Sequence, residues 1–198
     1  MTAPASQPAR EVDAIAIGAS AGGIDALFFL LQDMPAGGAV PIVTVLHLSP
    51  DRDSQLVDIF RARLSMPVHE AQPHAPLAAG TLYFAPPGYH LLVEPDRTFS
   101  LSCDEPVLYS RPSIDVLLQS CAEAYGERLA AFVLTGANDD GANGLAAVAA
   151  AGGFTVAQDP ADARHGTMPA AAIRRAAPDL VLPLAGIRAL LHTLMFRT

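Results

Sequence analysis

The stretch Ala14-Ile15-Ala16-Ile17-Gly18-Ala19-Ser20-Ala21-Gly22-Gly23-Ile24-Asp25-Ala26-Leu27 decides how this chain is read. Asp13 to Gly18 is a short β-rich run, and from Gly22 to Gln32 apolar residues recur at helical spacing through Ile24, Leu27, Phe28 and Leu31. The pattern is strand, tight turn, helix. Such a turn either cradles a phosphate or lifts Ser20 out as a nucleophile. The six residues Gly18 to Gly23 alone leave both readings open.

Outward from this unit the alternation continues. Pro41 to His47 is a nearly unbroken apolar run, as a strand buried on both faces requires, and Ser54 to Leu64 carries Leu56, Ile59, Phe60 and Leu64 at helical intervals. Val68 to Ala71 and Thr81 to Ala85 read as short strands. His90 to Glu94 and Thr98 to Ser102 flank the turn signal Pro95-Asp96-Arg97, which predicts a β-hairpin. A helix follows Pro112, with Ile114, Leu117, Leu118, Cys121 and Tyr125 on one face and Gly126 as its stop. Ala130 to Thr135 is a buried strand, Gly136 to Gly141 a loop, and an Ala-rich helix runs on to Ala151. Phe154 to Ala157 is a strand, Thr167-Met168-Pro169 starts a helix, and Asp179 to Pro183 and Leu184 to Met195 close the chain as strand and helix. Alternating elements of this kind specify an α/β fold: a doubly wound, mainly parallel sheet with helices on both faces, Rossmann-like, with one small hairpin. The expected organisation is a disordered tail over 1–11 and one domain over 12–198.

Composition narrows the function classes. The chain has 198 residues, 51% hydrophobic and 16% charged, with a mean hydropathy of +0.31, too apolar for disorder and without an 18-residue apolar run. A formal net charge of -8 argues against a nucleic-acid partner, which needs clustered cations, and no segment predicts direct membrane insertion. Two cysteines, Cys103 and Cys121, lack metal-ligand spacing and are expected to be buried thiols in a reducing compartment. The start of the chain lacks the basic and apolar regions of a signal peptide, so a cytoplasmic location is expected. No metal and no cofactor is assigned, because His69, His74, His165 and His192 lack ligand spacing.

In an open α/β sheet, ligands gather beyond the carboxyl ends of the strands, and Ser20, His47 and Asp140 fall at three such ends. A serine hydroxyl needs a base to take its proton, and an imidazole base needs a carboxylate to fix its tautomer. Gly18-x-Ser20-x-Gly22 offers the small neighbours of a nucleophile elbow, and the amide of Ala21 at the helix start can face a developing oxyanion. The dinucleotide alternative lacks the Gly-x-Gly-x-x-Gly spacing and has His47, not an acid, at the end of the second strand. The order Ser, His, Asp also departs from that of ordinary α/β-hydrolases. His90 either lines the cleft or begins the hairpin. Arg111 either contacts substrate or decorates a helix start, and the acids Asp51 and Asp53 suit a helix N-terminus.

Several motifs in one order carry a resemblance: Ile17 to Gly23, the strand ending in His47, Ala85-Pro86-Pro87-Gly88-Tyr89-His90, Ser110-Arg111-Pro112-Ser113-Ile114-Asp115, Leu134-Thr135-Gly136 with Asp140-Gly141-Ala142, and Met168-Pro169. Together they resemble the catalytic domain of the CheB chemotaxis methylesterases over almost the whole chain. The resemblance implies a serine hydrolase that demethylates glutamate γ-methyl esters on chemoreceptors, releasing methanol, with deamidation of glutamine as a second activity. It implies Ser20 as nucleophile, His47 as proton relay, Asp140 as orienting acid, and the N–H groups of Ala21 and Ala137 as oxyanion donors. Ala21, Leu46-His47-Leu48-Ser49, Ala137 and Thr167 depart from residues common in the family, which bears on pocket shape more than on backbone donors. The usual receiver domain has no room before Asp13, so a stand-alone form is expected, with a methylated receptor as partner and a separate receiver protein as regulator. A nucleotide-binding oxidoreductase module and a catalytically degenerate receptor-binding protein stand as alternatives.

Overall fold

The computed structural model describes residues 10–47 and 55–196. The expected tail is therefore mostly outside the described residues, as are Leu48, Ser49 and the acids at 51 and 53. The first four strands are β1 (Ala14–Ala19), β2 (Ile42–Leu46), β3 (Val68–Glu70) and β4 (Leu82–Phe84). A separate antiparallel hairpin pairs β5 (His90–Val93) with β6 (Phe99–Ser102). β7 (Leu129–Val133), β8 (Phe154–Gln158) and β9 (Leu180–Leu182) complete a seven-stranded sheet in the order β3-β4-β2-β1-β7-β8-β9. Every pairing in that sheet is parallel. Helices α1 (Gly23–Leu31), α2 (Leu56–Arg61), α3 (Ile114–Tyr125), α4 (Ala142–Ala150), α5 (Thr167–Ala176) and α6 (Leu184–Met195) cover it. The α/β, doubly wound reading of the sequence is the fold observed.

The two-residue period of β1 sorts its side chains onto two cores. Ile15, Ile17 and Ala19 pack with Leu27 and Leu30 of α1, Phe60 of α2 and Ile187 and Leu191 of α6. Ala14 and Ala16 face the other layer, built from α3, α4, α5 and the hairpin through Leu117, Leu145, Met168, Leu91 and Phe99. The second face of β1 is made of small residues because α3 docks closely upon it. A Cβ on Gly18 would lie 2.2 Å from Ile114 Cγ2, so only glycine admits the first residue of α3 at this depth. The chain winds from β1 to β2 on one side and later crosses to β7 on the other. The carboxyl ends of β1, β2 and β7 thus surround the switch point at which doubly wound sheets hold their ligands.

One local feature differs from expectation. Cys121 is buried among α3 contacts, but Cys103 is exposed, since β6 ends at Ser102 and the next residues run over the surface. Beyond them Val107 and Ser110 exchange backbone hydrogen bonds of 3.1 and 2.8 Å across a two-residue turn. Leu108 (φ 47°) and Tyr109 (φ 64°) both occupy the left-handed region there, which costs an L-residue roughly 1–2 kcal/mol. The turn has the form usually filled by Asn-Gly.

Candidate active site at the ends of β1, β2 and β7

Ser20 and His47 follow directly after Ala19 and Leu46, which are register partners in the parallel β1–β2 ladder. The His47 N–H donates to Ala19 O at 3.1 Å and the Ser20 N–H to Thr135 O at 3.0 Å, so the ladder continues past the named strands on both sides of Ser20. Neighbouring strands lie roughly 4.8 Å apart and side chains at matched positions share a face, which sets Ser20 and His47 side by side. The chain then reverses sharply. Gly23 N–H donates to Ser20 O at 2.8 Å, and Gly22 takes φ 81°, a left-handed angle that suits glycine, before α1 begins. Ser20 is half-buried at this elbow.

Asp140 arrives from the β7–α4 loop and is 0% exposed. Its Oδ2 accepts from His47 Nε2 at 2.8 Å and from the Ile114 N–H at 2.7 Å. Its Oδ1 accepts from Ser113 Oγ at 2.8 Å and the Asp115 N–H at 2.9 Å. Four donors fill the lone-pair sites of an ionised carboxylate. Burial works against its charge, but the His47 hydrogen bond and the backbone N–H groups of Asp115 and Ile114 outweigh it, and the carboxyl sits below its usual range. The neighbouring Asp139 is exposed and makes none of these contacts.

With Nε2 committed to Asp140, His47 keeps Nδ1 buried and without a hydrogen-bond partner. The imidazole is turned end for end relative to chymotrypsin-type sites, in which the acid holds Nδ1. Among the described residues, no protein group bonds the Ser20 hydroxyl or accepts from the N–H of Ala21 or Ala137. Ala21 lies half-buried at the elbow and Ala137 exposed in the β7–α4 loop. That loop is fixed from below: Thr135 N–H donates to Gln158 Oε1 at 2.9 Å, Thr135 Oγ1 donates to Ala21 O at 2.9 Å, and Gly136 N–H donates to His165 O at 3.0 Å.

A supporting shell surrounds Asp140 that the spacing of single catalytic residues does not reveal. Asp115, in the first turn of α3, accepts from the N–H groups of Gly141 (2.9 Å) and Gly144 (2.6 Å) and from Asn143 Nδ2 (3.2 Å). Burial raises its carboxyl above the usual range, and the nearby Asp140 charge adds to the rise. Ser113 caps α3 and also donates to Asp140, so the signal in sequence is a Ser-x-Asp helix start after proline. His90 belongs to this shell rather than to an open cleft. It is buried at the start of β5, and because the Ser113 N–H donates to its Nδ1 at 3.2 Å, its Nε2 carries the proton and donates to Glu105 O at 3.1 Å. Arg111 is exposed and clamps its own loop, with Nη1 donating to the carbonyls of Cys103 (2.9 Å) and Asp104 (3.1 Å).

Comparison with known proteins places the chain in a family. Residues 15–191 match the CheB methylesterase family. A Leptospira interrogans relative is 43% identical over 175 residues, 88% of this chain and 91% of its own length. The protein-glutamate methylesterase/protein-glutamine glutaminase 1 of Rhodospirillum rubrum is 38% identical over 92% of this chain and 49% of its own. A Myxococcus xanthus protein-glutamate methylesterase is 37% identical over 96% of this chain and 59% of its own, so the chain spans about half the length of these two relatives. The crystal structure of the Thermotoga maritima CheB methylesterase catalytic domain superposes with a TM-score of 0.88 at 29% identity, over 93% of this chain and all of that one. On sequence, coverage and fold alike, the chain belongs to the CheB methylesterase family.

Proposed function

We propose that the chain hydrolyses glutamate γ-methyl esters on a chemoreceptor, with Ser20, His47 and Asp140 as its reacting group. The Ser20 hydroxyl attacks the ester carbonyl while its proton passes to His47 Nδ1. Charge building on the carbonyl oxygen is met by the N–H groups of Ala21 and Ala137, and loss of one such donor typically costs about 100-fold to 1000-fold in rate. His47 then returns the proton to the departing methoxide, which leaves as methanol. Water, activated by the same nitrogen, cleaves the acyl-serine and restores the glutamate and the free hydroxyl. An amide in place of the ester would release ammonia by the same route, so glutamine deamidation needs no further group. Asp140 keeps His47 in one orientation and offsets the positive charge it gains in transit.

What supports this reading above all is the division of labour on His47: one ring nitrogen is tied to a buried carboxylate at 2.8 Å, and the other has no hydrogen-bond partner on a residue that ends the strand next to that of Ser20. Among the described residues no helix is long and apolar enough to cross a membrane, which suits an enzyme meeting the cytoplasmic part of its receptor. A separate receiver protein is the regulator this scheme would use.

The test is mass spectrometry of a methylated receptor fragment before and after incubation. Wild-type protein removes the methyl group and Ser20→Ala does not, while both give the same far-UV spectrum. Equal demethylation by Ser20→Ala would reject the nucleophile, and no demethylation by wild type would reject the activity.

A further inference from the structure

Taking the demethylase reading as its base, we propose that the Leu108-Tyr109 turn is a preformed anchor for the protein substrate, seating the receptor segment that carries the ester across the mouth of the site.

Tyr109 is 103% exposed and Leu108 46% exposed. Both stand in left-handed backbone that bulky side chains disfavour, at the two central positions of a turn closed by the Val107–Ser110 bonds. Both side chains are exposed, so their own burial does not offset that cost. Strained backbone carrying exposed side chains points to a role outside the folded chain. An exposed tyrosine on a rigid turn is also an economical contact, since it offers a large amphipathic surface with few torsions left to order.

The position of the turn selects the occupant. Ser110 leads through Arg111 and Pro112 to Ser113, whose hydroxyl holds Asp140. Three residues separate Tyr109 from Ser113, four steps of at most about 14 Å of extended chain, so the anchor stays within that reach of the residue that holds Asp140. Arg111 stiffens the connection by clamping the Cys103 and Asp104 carbonyls. A further exposed aromatic, Tyr89, directly precedes His90, which bonds the same Ser113 from the other side. Of six exposed large apolar side chains among the described residues, three, Tyr89, Leu108 and Tyr109, stand on segments that converge on Ser113. A single esterified side chain needs only the cleft. A protein segment bearing it must continue beyond the cleft, and on this reading the continuation sits on this patch.

The double variant Leu108→Asn/Tyr109→Gly separates the possibilities, because it removes both side chains while supplying the residues this turn prefers. Three readouts are compared with wild type: Tm, hydrolysis of a methylated receptor fragment, and hydrolysis of a blocked glutamate γ-methyl ester. The expected result is a Tm raised by a few degrees, a KM for the receptor fragment raised at least about ten-fold, and unchanged kcat/KM for the small ester. A raised Tm with unchanged KM for the fragment would overturn the anchor, as would a lowered Tm, which would make the turn a structural element. Loss of a dimer on sedimentation would assign the patch to a second copy of the chain and overturn it equally. Calorimetric binding of the fragment in a Ser20→Ala background, with and without the double change, reads the anchor independently of turnover. Equal affinities there overturn it even if no hydrolysis is found, whereas failure of wild type to hydrolyse either ester counts against the demethylase reading alone.

Discussion

Asp140 and Asp115 hold each other's helices: Asp140, at the approach to α4, accepts from the first N–H groups of α3, and Asp115, in the first turn of α3, accepts from the N–H groups of Gly141 and Gly144 at the start of α4. Two buried acids are thereby satisfied by helix ends carrying partial positive charge. The exchange of caps locks the loop bearing Asp140 to the helix that touches β1 at Gly18.

Asp140→Asn keeps the volume but places an amide where His47 Nε2 and two backbone N–H groups donate. The amide nitrogen must face a donor, and His47 loses the partner that selects its tautomer. We expect kcat on methylated receptor to fall by roughly 10³–10⁴-fold while KM moves little, measured by methanol release. A fall of less than ten-fold would remove Asp140 from the proton path.

Ser113→Ala deletes one donor to Asp140 and the cap of α3 in a single step. Loss of a helix cap costs about 1 kcal/mol and an unpaired buried acceptor a similar amount, so urea unfolding should show a loss of about 2 kcal/mol. Activity should fall less than in Asp140→Asn, because the His47 contact survives.

Gly18→Ala drives a methyl into Ile114 Cγ2, at a cost typical of overpacking, about 1–3 kcal/mol. Ile114→Ala removes the obstacle and leaves a cavity of its own. The double variant should be more stable than the sum of the two single losses predicts, and a double-mutant cycle by chemical denaturation reads that coupling. Strict additivity would mean the contact between β1 and α3 is looser than described.

The two acids respond to pH with opposite sign. Asp140, lowered in the fold, contributes stability that is present above the ordinary carboxylate range and is lost as pH falls through its lowered value. Asp115, raised in the fold, favours the folded state while protonated, so it withdraws stability as pH climbs from about 4 toward its raised value. Asp115→Asn cannot ionise. The stability difference between wild type and Asp115→Asn should therefore shift in favour of the variant across that window, followed by urea titrations at stepped pH. A difference independent of pH would show that Asp115 titrates alike in both states.

Much of this was legible in the chain itself, and particular residues show why. Continuous apolar runs at Ile42–Leu46 and Leu129–Val133 carry the signature of strands covered on both faces, and they lie where the pattern puts them. His47 and the Asp140 side chain meet, though 93 residues apart, because strand ends in this topology converge. Asp115 was legible as part of a motif, but not as a carboxylate that holds the Asp140 loop. A helix-start acid is common on surfaces, and only the crossing of α3 over α4 buries this one. Cys103 misled for the converse reason: a small apolar residue directly after a strand looks like core, but the strand stops one residue earlier. Leu108 and Tyr109 gave no turn signal, since their side chains are not those that favour positive φ.

β1 is the middle strand of seven, flanked by β2 and β7, and the His47 and Ser20 amides extend its ladder on either side. The proposed reacting group is therefore mounted on the central strand ladder, which is expected to open last. On heating, the capacity for catalysis should persist until cooperative melting, and the amide protons of these two residues should exchange among the slowest in the chain.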